Sequence, residues 1–340
     1  VGTWTHGTDY PFPGATNPAT GTLRAFEAAS GTAIWTATGT PPMGGVASTP
    51  CIADGRVYVG TTNGYLYCLD LNSGSQVWAR QTTNRSTTPG NSPIISSPVV
   101  HDGVVYITNE ASKVYAFTAD NDGTPVFDPP VVLPVDQPGH GDYGLGVTDV
   151  RQRNICGASS PAIATVGPNT YLLVGCDDGY FYRIRLSDRT IAELNMGGCV
   201  ESSPSVSGNS AYIGVTIYNG DNVRRVSIEP FAEIGAWSLV EESRATCSLQ
   251  CSFVYNGVDT GHVFYKLNAL DPAEGVLASF APQSAKYFVG SAAHTAGGIV
   301  YTGNDDGHFY ALDADDLAPL VAGGYYDPSI QQPGFICSSP

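Results

Sequence analysis

Acidic side chains gather in three short segments of the 340-residue chain, and carboxylates at close spacing could bind a cation. The segments are residues 120–128, 177–178 and 305–306. Ca²⁺ takes six to eight oxygen ligands, often from alternating acidic positions followed by a later carboxylate. Asp120, Asp122 and Asp128 come nearest to this pattern and are the candidate calcium ligands. Turn formation is the alternative interpretation of all three segments.

A second group of polar side chains lies within residues 128–156, which are rich in Pro and Gly. This composition indicates a long surface loop, and binding residues are often carried on such loops. We predict a ligand-binding loop, for which a plain cover over apolar surface is the alternative. The candidate ligand-binding residues are His140, Asp142, Tyr143, Asp149, Arg151 and Arg153.

Catalytic patterns are missing from the sequence. The six histidines have no His-x-x-x-His spacing of a zinc site, and no Gly-x-Ser-x-Gly nucleophile motif occurs. We therefore predict no catalytic residue and favour a protein that is not an enzyme.

The predicted strands that position these residues belong to a sequence repeat. YVGTTNGYLYCLD (58–70), LVGCDDGYFYRI (173–184) and YTGNDDGHFYALD (301–313) alternate apolar and polar residues about a central turn. Asn-Gly and Asp-Gly favour two-residue turns with positive φ at both positions. The sequence therefore predicts hairpins centred on Asn63-Gly64, Asp178-Gly179 and Asp306-Gly307.

A Ser-Ser-Pro marker accompanies the hairpins and recurs about every 45 residues. Its copies are Ser48-Thr49-Pro50, Ser96-Ser97-Pro98, Ser159-Ser160-Pro161, Ser202-Ser203-Pro204 and Ser338-Ser339-Pro340, with degenerate forms at residues 248–250 and 291–293. Such a period with about four strands per unit predicts an all-β, seven-bladed β-propeller of four-stranded antiparallel blades. The predicted blades of this single 1–340 domain are approximately 1–47 with 335–340, 48–95, 96–158, 159–201, 202–246, 247–290 and 291–334.

The two ends of the repeat are complementary. No hairpin follows the last marker, and no marker precedes the first hairpin, formed by residues 3–8 and 21–27. The last strand is therefore predicted to complete the first blade and close the ring. If it instead completed the first blade of another copy, a fibre would result. This strand consists of Phe335, Ile336, Cys337, Ser338, Ser339 and Pro340.

The cysteines suggest an oxidising compartment, and one sequon offers a glycosylation site. Cys156 and Cys199 each lie five residues before the marker proline of successive repeats, which makes them the predicted disulfide. Asn84 begins the glycosylation sequence Asn-Arg-Ser. Eight cysteines in a chain with few lysines favour an extracellular or secreted protein, with the periplasm as an alternative.

The charge of the chain restricts its partners. A formal net charge of −16 argues against binding to nucleic acid or to an anionic membrane. No run of about 20 apolar residues predicts a membrane-spanning helix. The expected partners are another protein or copies of this chain, with glycans as an alternative.

The successive motifs Ser-Ser-Pro, Gly-x-Val-Tyr-x-Gly, Asp-Gly-x-x-Tyr-Ala-Leu-Asp and Ser-Gly-x-x-x-Trp resemble the PQQ-like repeat of quinoprotein-type β-propellers. The resemblance implies the propeller fold, whereas functions in this family range from quinone-dependent dehydrogenases to cofactor-free scaffolds. The enzymes of the family usually have eight blades and a vicinal cysteine pair on the quinone. This chain has seven repeats and no Cys-Cys, so their catalytic residues have no counterpart and bound PQQ is not expected.

We therefore expect a non-enzymatic extracellular scaffold or protein-interaction module, which could assemble with itself into a fibre. The alternatives are a carbohydrate- or ligand-binding propeller and, less favoured, a quinone-dependent dehydrogenase.

Overall fold

A computed structural model describes most of the chain. The described residues are 2–4, 21–37, 39–82, 92–135, 159–216, 222–239, 243, 245–258, 262–282, 291–304 and 308–321. The chain divides into two compact units, Val1–Ile163 and Ala164–Pro340. No helix among the described residues is long and apolar enough to cross a membrane.

The described strands up to residue 135 form three antiparallel sheets, here called blades 1 to 3. Blade 1 contains β1 (Gly2–Trp4), β2 (Gly21–Phe26) and β3 (Ala33–Ala37). Blade 2 contains β4 (Cys51–Ala53), β5 (Arg56–Gly60), β6 (Tyr65–Asp70) and β7 (Gln76–Gln81). Blade 3 contains β8 (Val99–His101), β9 (Val104–Asn109), β10 (Lys113–Thr118) and β11 (Val131–Val132).

The described strands from residue 162 onward form four more antiparallel sheets, blades 4 to 7. Blade 4 contains β12 (Ala162–Val166), β13 (Asn169–Gly175), β14 (Tyr180–Arg185) and β15 (Ile191–Asn195). Blade 5 contains β16 (Ser205–Ser207), β17 (Ser210–Gly214), β18 (Val223–Ser227) and β19 (Ala232–Trp237). Blade 6 contains β20 (Ser248–Gln250), β21 (Phe253–Gly257), β22 (Phe264–Asn268) and β23 (Val276–Phe280), with a 3₁₀ turn at Pro272–Glu274. Blade 7 contains β24 (Ala293–His294), β25 (Ile299–Gly303) and β26 (Phe309–Asp313).

The strands follow one another as hydrogen-bonded neighbours in every blade, so each blade is an antiparallel meander. This confirms the predicted all-β class and the seven repeats among the described residues. Blades 1 and 7 have three described strands each. The predicted closing strand, residues 335–340, lies outside the described residues.

The repeated hairpin has a different turn from the one predicted. Thr61 N donates to Tyr65 O at 3.1 Å and Gly64 N donates to Thr61 O at 3.0 Å, which leaves residues 62–64 as a three-residue loop. Among these residues only Gly64 has a positive φ, +79°. The prediction of a two-residue turn was therefore wrong, because a type I turn closed by a left-handed glycine uses the same Asn-Gly pair.

Two-residue turns of the predicted kind occur elsewhere in the blade. Asp54 and Gly55 have φ values of +48° and +74° between β4 and β5, and Asp102 and Gly103 have +47° and +70° between β8 and β9. Positive φ at both central residues is the signature of a type I′ turn.

The core lies between neighbouring blades. Tyr58 and Trp78 of blade 2, for example, pack in one cluster with Ile107 and Phe117 of blade 3. Tyr58 also donates its hydroxyl to Ala119 O at 2.6 Å. Equivalent tyrosines in later blades do the same: Tyr212 donates to Ala269 O and Tyr255 donates to Ala314 O, both at 2.9 Å. Each tyrosine thus buries its ring and still satisfies its hydroxyl on the next blade.

Candidate functional site

The first serine of three markers holds its own blade together. Ser48 Oγ donates to Gly60 O at 3.1 Å and accepts from Gly60 N at 3.0 Å. Ser202 makes the same pair of bonds to Gly214, at 2.9 and 2.8 Å. Ser96 does so with Thr108. The hydroxyl therefore completes the backbone bonding of the strand beside it.

The second residue of the marker joins neighbouring blades. Thr49 N donates to Ser97 Oγ at 2.9 Å, and Ser97 N donates to Ser160 Oγ at 2.8 Å. Ser203 N donates to Thr246 Oγ1 at 3.0 Å. The hydroxyls at the second position thus accept hydrogen bonds from the backbone of a neighbouring blade. This structural use explains why they recur along the chain.

One serine and histidine approach each other as a nucleophile and base would. His294 Nε2 lies 2.7 Å from Ser248 Oγ, and these residues belong to the first strands of blades 7 and 6. Ser248 Oγ also lies 2.7 Å from Ala292 O, to which it donates its proton. Nucleophilic activation requires that the histidine accept this proton and that a third group orient the ring. The serine proton instead points to a carbonyl.

The other ring nitrogen supports the same interpretation. His294 Nδ1 is buried and has no hydrogen-bond partner among the described residues. Burial lowers the pKa of the imidazole, so the neutral ring is favoured. A neutral ring that donates from Nε2 to Ser248 joins blades 6 and 7 in the way that the marker serines join other blades. The sequence did not identify this pair, because Ser248 and His294 lie in different repeats and their spacing along the chain does not show that they meet.

The candidate calcium ligands are not brought together. Asp120 Oδ1 accepts from Thr118 Oγ1 at 2.6 Å, Asp122 N at 2.9 Å and Gly123 N at 3.1 Å. The Thr118 hydroxyl and these backbone donors hold the pKa of the Asp120 carboxyl below its usual value. Within the described part of the chain, no three His, Cys, Asp or Glu side chains could share a metal ion, and this part includes Asp128. The turn interpretation fits this arrangement.

The Asp177 and Asp178 pair also serves a turn. Asp178 is fully buried, accepts from Tyr180 N at 3.0 Å and accepts the hydroxyl of Tyr182. These bonds fix the loop between β13 and β14. The third acidic segment, residues 305–306, lies outside the described residues.

Two other predictions lie on residues that the structure does not describe. The predicted ligand-binding residues lie within residues 136–158, which are outside the described residues. They are His140, Asp142, Tyr143, Asp149, Arg151 and Arg153. The glycosylation candidate Asn84 also lies outside the described residues. The first part of the predicted 128–156 loop is described, and it belongs to blade 3 because Val131–Val132 form β11.

The cysteines do not form the predicted pair. Cys199 keeps its thiol, whose Sγ donates to Asp177 O at 3.2 Å, whereas Cys176 is disulfide-bonded. The other described cysteines, Cys51, Cys68, Cys247 and Cys251, are thiols. The Cys156 to Cys199 prediction was therefore wrong. Equal spacing from the marker gives equivalent places in two repeats, but here the Cys199 side chain points toward the β13–β14 loop.

Glu110 is a titratable group that the sequence did not single out. It follows β9, and its backbone N donates to Pro93 O at 3.0 Å. Burial raises the pKa of its carboxyl from 4.5 to about 7. This position can therefore change charge near neutral pH.

Comparison with known proteins places the fold. A family described as "Outer membrane protein assembly factor BamB" matches residues 19–130. The structure is similar to BamB from Moraxella catarrhalis, with 13% identity, a TM-score of 0.62 and coverage of 92% of this chain and 84% of that chain. No curated protein matches the sequence.

Two other solved structures are similar. A quinohemoprotein alcohol dehydrogenase from Comamonas testosteroni has 14% identity and a TM-score of 0.67, over 95% of this chain and 65% of that chain. The computationally designed protein Ika8 has 13% identity and a TM-score of 0.57, over 83% of this chain and 75% of that chain. The seven described sheets and these neighbours agree on a β-propeller fold, and the family match extends over residues 19–130 of the chain.

Proposed function

We propose that this propeller is a non-enzymatic scaffold that binds protein partners outside the cytoplasm. The observation that carries the proposal is that polar side chains of the repeat form hydrogen bonds between neighbouring blades. Ser97 accepts from blade 2, Trp78 Nε1 donates to Asp120 O at 2.8 Å, and Tyr58 donates to Ala119 O. These contacts stabilise a rigid frame, and a rigid frame with variable surface suits recognition.

The family match supports a protein partner. The family that matches residues 19–130 is named as an assembly factor, and by that name its members act on other proteins. The dehydrogenase neighbour shares 14% identity, so its likeness extends to the fold alone. Fold similarity carries no chemistry without a matching site.

The proposed location rests on the cysteines and the charge. A disulfide at Cys176, within a chain of eight cysteines, suits an oxidising compartment. A net charge of −16 favours solubility, and it repels partners rich in phosphate, such as nucleic acids.

Assembly with copies of the chain is a narrower form of the proposal. β1 is an edge strand of the described sheet of blade 1, which has the order β1-β2-β3. Residues 335–340 of a neighbouring copy are the proposed partner of that edge. Deletion of these six residues should leave native material as single particles in electron micrographs. Rods that survive the deletion would reject this mode of assembly.

A reconstitution experiment separates the scaffold from the enzyme. The purified chain is incubated with PQQ and Ca²⁺, and dye reduction is followed with primary alcohols and sugars as substrates. The scaffold proposal predicts no dye reduction above a control without protein. Quinone-dependent turnover that saturates with substrate would reject the proposal.

A further inference from the structure

One position of the first strand is aliphatic in four blades and is a histidine in blade 7. His294 pairs with Val300 of the next strand, and Leu249 of blade 6 pairs with Val254 in the same register. The residues that hold this position in blades 2, 3 and 5 are Ile52, Val100 and Val206. An ionisable ring therefore occupies a position at which these other blades have an aliphatic side chain.

His294 of blade 7 is bonded to Ser248 of blade 6. Ser248 Oγ donates its proton to Ala292 O at 2.7 Å, so it accepts a hydrogen bond from His294 Nε2, which is also 2.7 Å away. Blade 5 has the first of these bonds without the second, since Ser205 Oγ donates to Cys247 O of blade 6. The histidine therefore adds a contact to a bond that the repeat already supplies. This contact between Ser248 and His294 is called here the blade 6–7 joint.

Protonation of the ring adds a donor that the joint does not satisfy. In the neutral ring Nε2 carries the proton that Ser248 accepts, and His294 Nδ1 is buried without a hydrogen-bond partner among the described residues. The protonated ring carries an N–H at Nδ1 as well, and a buried N–H without an acceptor is unfavourable. The ring also packs against Tyr255, with 4.6 Å between the ring centres. Close packing of the two blades therefore favours the neutral ring.

The titratable groups around the joint lie on neighbouring strands and turns. They are Tyr255, Tyr301, Cys251, Lys266, Asp313 and Asp315. Burial raises the pKa of Tyr255 to about 12, so its phenol is neutral at acid pH. Lys266 Nζ lies 3.8 Å from Asp315 Oδ1, so this carboxylate has a cation beside it. The pKa of His294 is lowered by burial, and none of these groups contributes to the shift.

We propose that the blade 6–7 joint is an acid-sensitive switch, which is closed while the His294 ring is neutral and opens when the ring is protonated. A form in which the blades separate leaves the ring in water, where it binds a proton with the ordinary pKa of 6.5. The closed form binds the proton less readily. The joint is therefore stable above pH 6.5 and loses stability as the pH falls through the lowered pKa.

The joint between blades 5 and 6 is the internal comparison. Its marker contact, in which Ser203 N donates to Thr246 Oγ1 at 3.0 Å, contains no ionisable group. Both joints belong to the same compact unit, Ala164–Pro340. Acid should therefore loosen blade 7 against blade 6 before it affects the contact between blades 5 and 6.

Hydrogen exchange of the intact chain tests the proposal. Exchange is followed by mass spectrometry at pH 7.5 and pH 5.0, with times scaled to the intrinsic rates, in residues 248–257 and 292–303. One variant is His294→Leu, which installs the residue that blade 6 has at this position. The other is His294→Gln, whose amide can donate to Ser248 but takes up no proton. The matched control is His101→Gln, which removes a histidine of blade 3 that lies 3.3 Å from Asp102.

In the wild type, acid should raise the scaled exchange of both segments by about tenfold for each unit by which the pKa of His294 lies below 6.5. Both His294 variants should lose this increase, whereas His101→Gln should keep it. Residues 205–214 of blade 5 should change less than either segment. An acid increase of the same size in the wild type and in the His294 variants would overturn the proposal. Glu110 is present in every protein compared, so its titration cancels.

A second measurement does not depend on the folding of a variant. The NMR signal of the His294 ring is followed through a pH titration of the wild-type chain. A midpoint below 6.5 is expected, and a midpoint at or above 6.5 would overturn the switch. The inference concerns the frame of the protein, so it stands or falls independently of the scaffold function.

Discussion

Individual residues between blades decide how well the repeat packs. The hydroxyl of Thr108 in blade 3 donates a hydrogen bond to Ser159 O at 3.2 Å. Thr302 of blade 7 is fully buried, and its Oγ1 has no partner among the described residues. A buried donor without a partner costs about 1–3 kcal/mol. The same residue type therefore stabilises one blade and destabilises another.

We predict that Thr302→Val increases the free energy of unfolding by about 1 kcal/mol, because the valine has the same shape without the unpaired hydroxyl. Urea denaturation measures the change. Thr108→Val is the control and should destabilise by about 1 kcal/mol, since it leaves Ser159 O without its donor. Equal losses from both variants would show that the Thr302 hydroxyl is satisfied.

Glu110 should make stability depend on pH. Its pKa is raised on folding from 4.5 to about 7, so the folded protein binds more protons than the unfolded chain between these values. Stability from this group is therefore present below pH 4.5 and is lost as the pH rises toward 7.

Glu110→Gln should remove that loss. We expect the variant to be more stable than wild type at pH 8, by on the order of 2 kcal/mol, and nearly equal at pH 4.5. Urea unfolding at the two pH values measures the difference, with the exposed Glu27→Gln as control. A gain that is the same at both pH values would contradict the assignment.

The elements hold together through tryptophan contacts at glycine turns. Trp78 of blade 2 lies against the turn of blade 3 that contains Gly123, where a Cβ would come within 2.6 Å of the indole ring. Gly123 also has a φ of +57°. The turn therefore serves two purposes, since it reverses the chain and receives the neighbouring ring.

We predict that Gly123→Ala destabilises the protein by about 2–3 kcal/mol, from backbone strain plus the clash with Trp78. Gly103→Ala is the matched control. Its φ is +70°, but a Cβ there meets nothing within 4 Å, so strain alone should cost about 1 kcal/mol. Thermal denaturation of both variants gives the difference, and equal losses would argue against the tryptophan contact.

Sequence reasoning succeeded at this scale where the signal repeats. The hairpins and markers predicted seven sheets because alternation and turn residues act locally. The loop after β5 was assigned the wrong turn, since Asn63 and Gly64 fit two turn types that differ by one residue in register. The Cys199 thiol and the pair of Ser248 with His294 depend on which side chains meet in space, and spacing along one chain does not determine that.

At the scale of the whole molecule, the chain is a repeat array whose polar motifs serve its own packing. Its formal net charge is −16, and ten large apolar side chains are exposed in the described part of the chain. The similarity to both an assembly factor and a dehydrogenase shows that this fold carries unrelated functions. Function must therefore be decided from surfaces that a partner can reach.

The central claim is that the chain works by binding another protein. Native mass spectrometry of the chain purified from its source, without denaturation, tests this most directly. The account predicts a complex heavier than the 35.6 kDa of the chain, with a second polypeptide that dissociates on denaturation. A single species with no second polypeptide, at the mass of the chain alone or of the chain with a bound quinone, would contradict it.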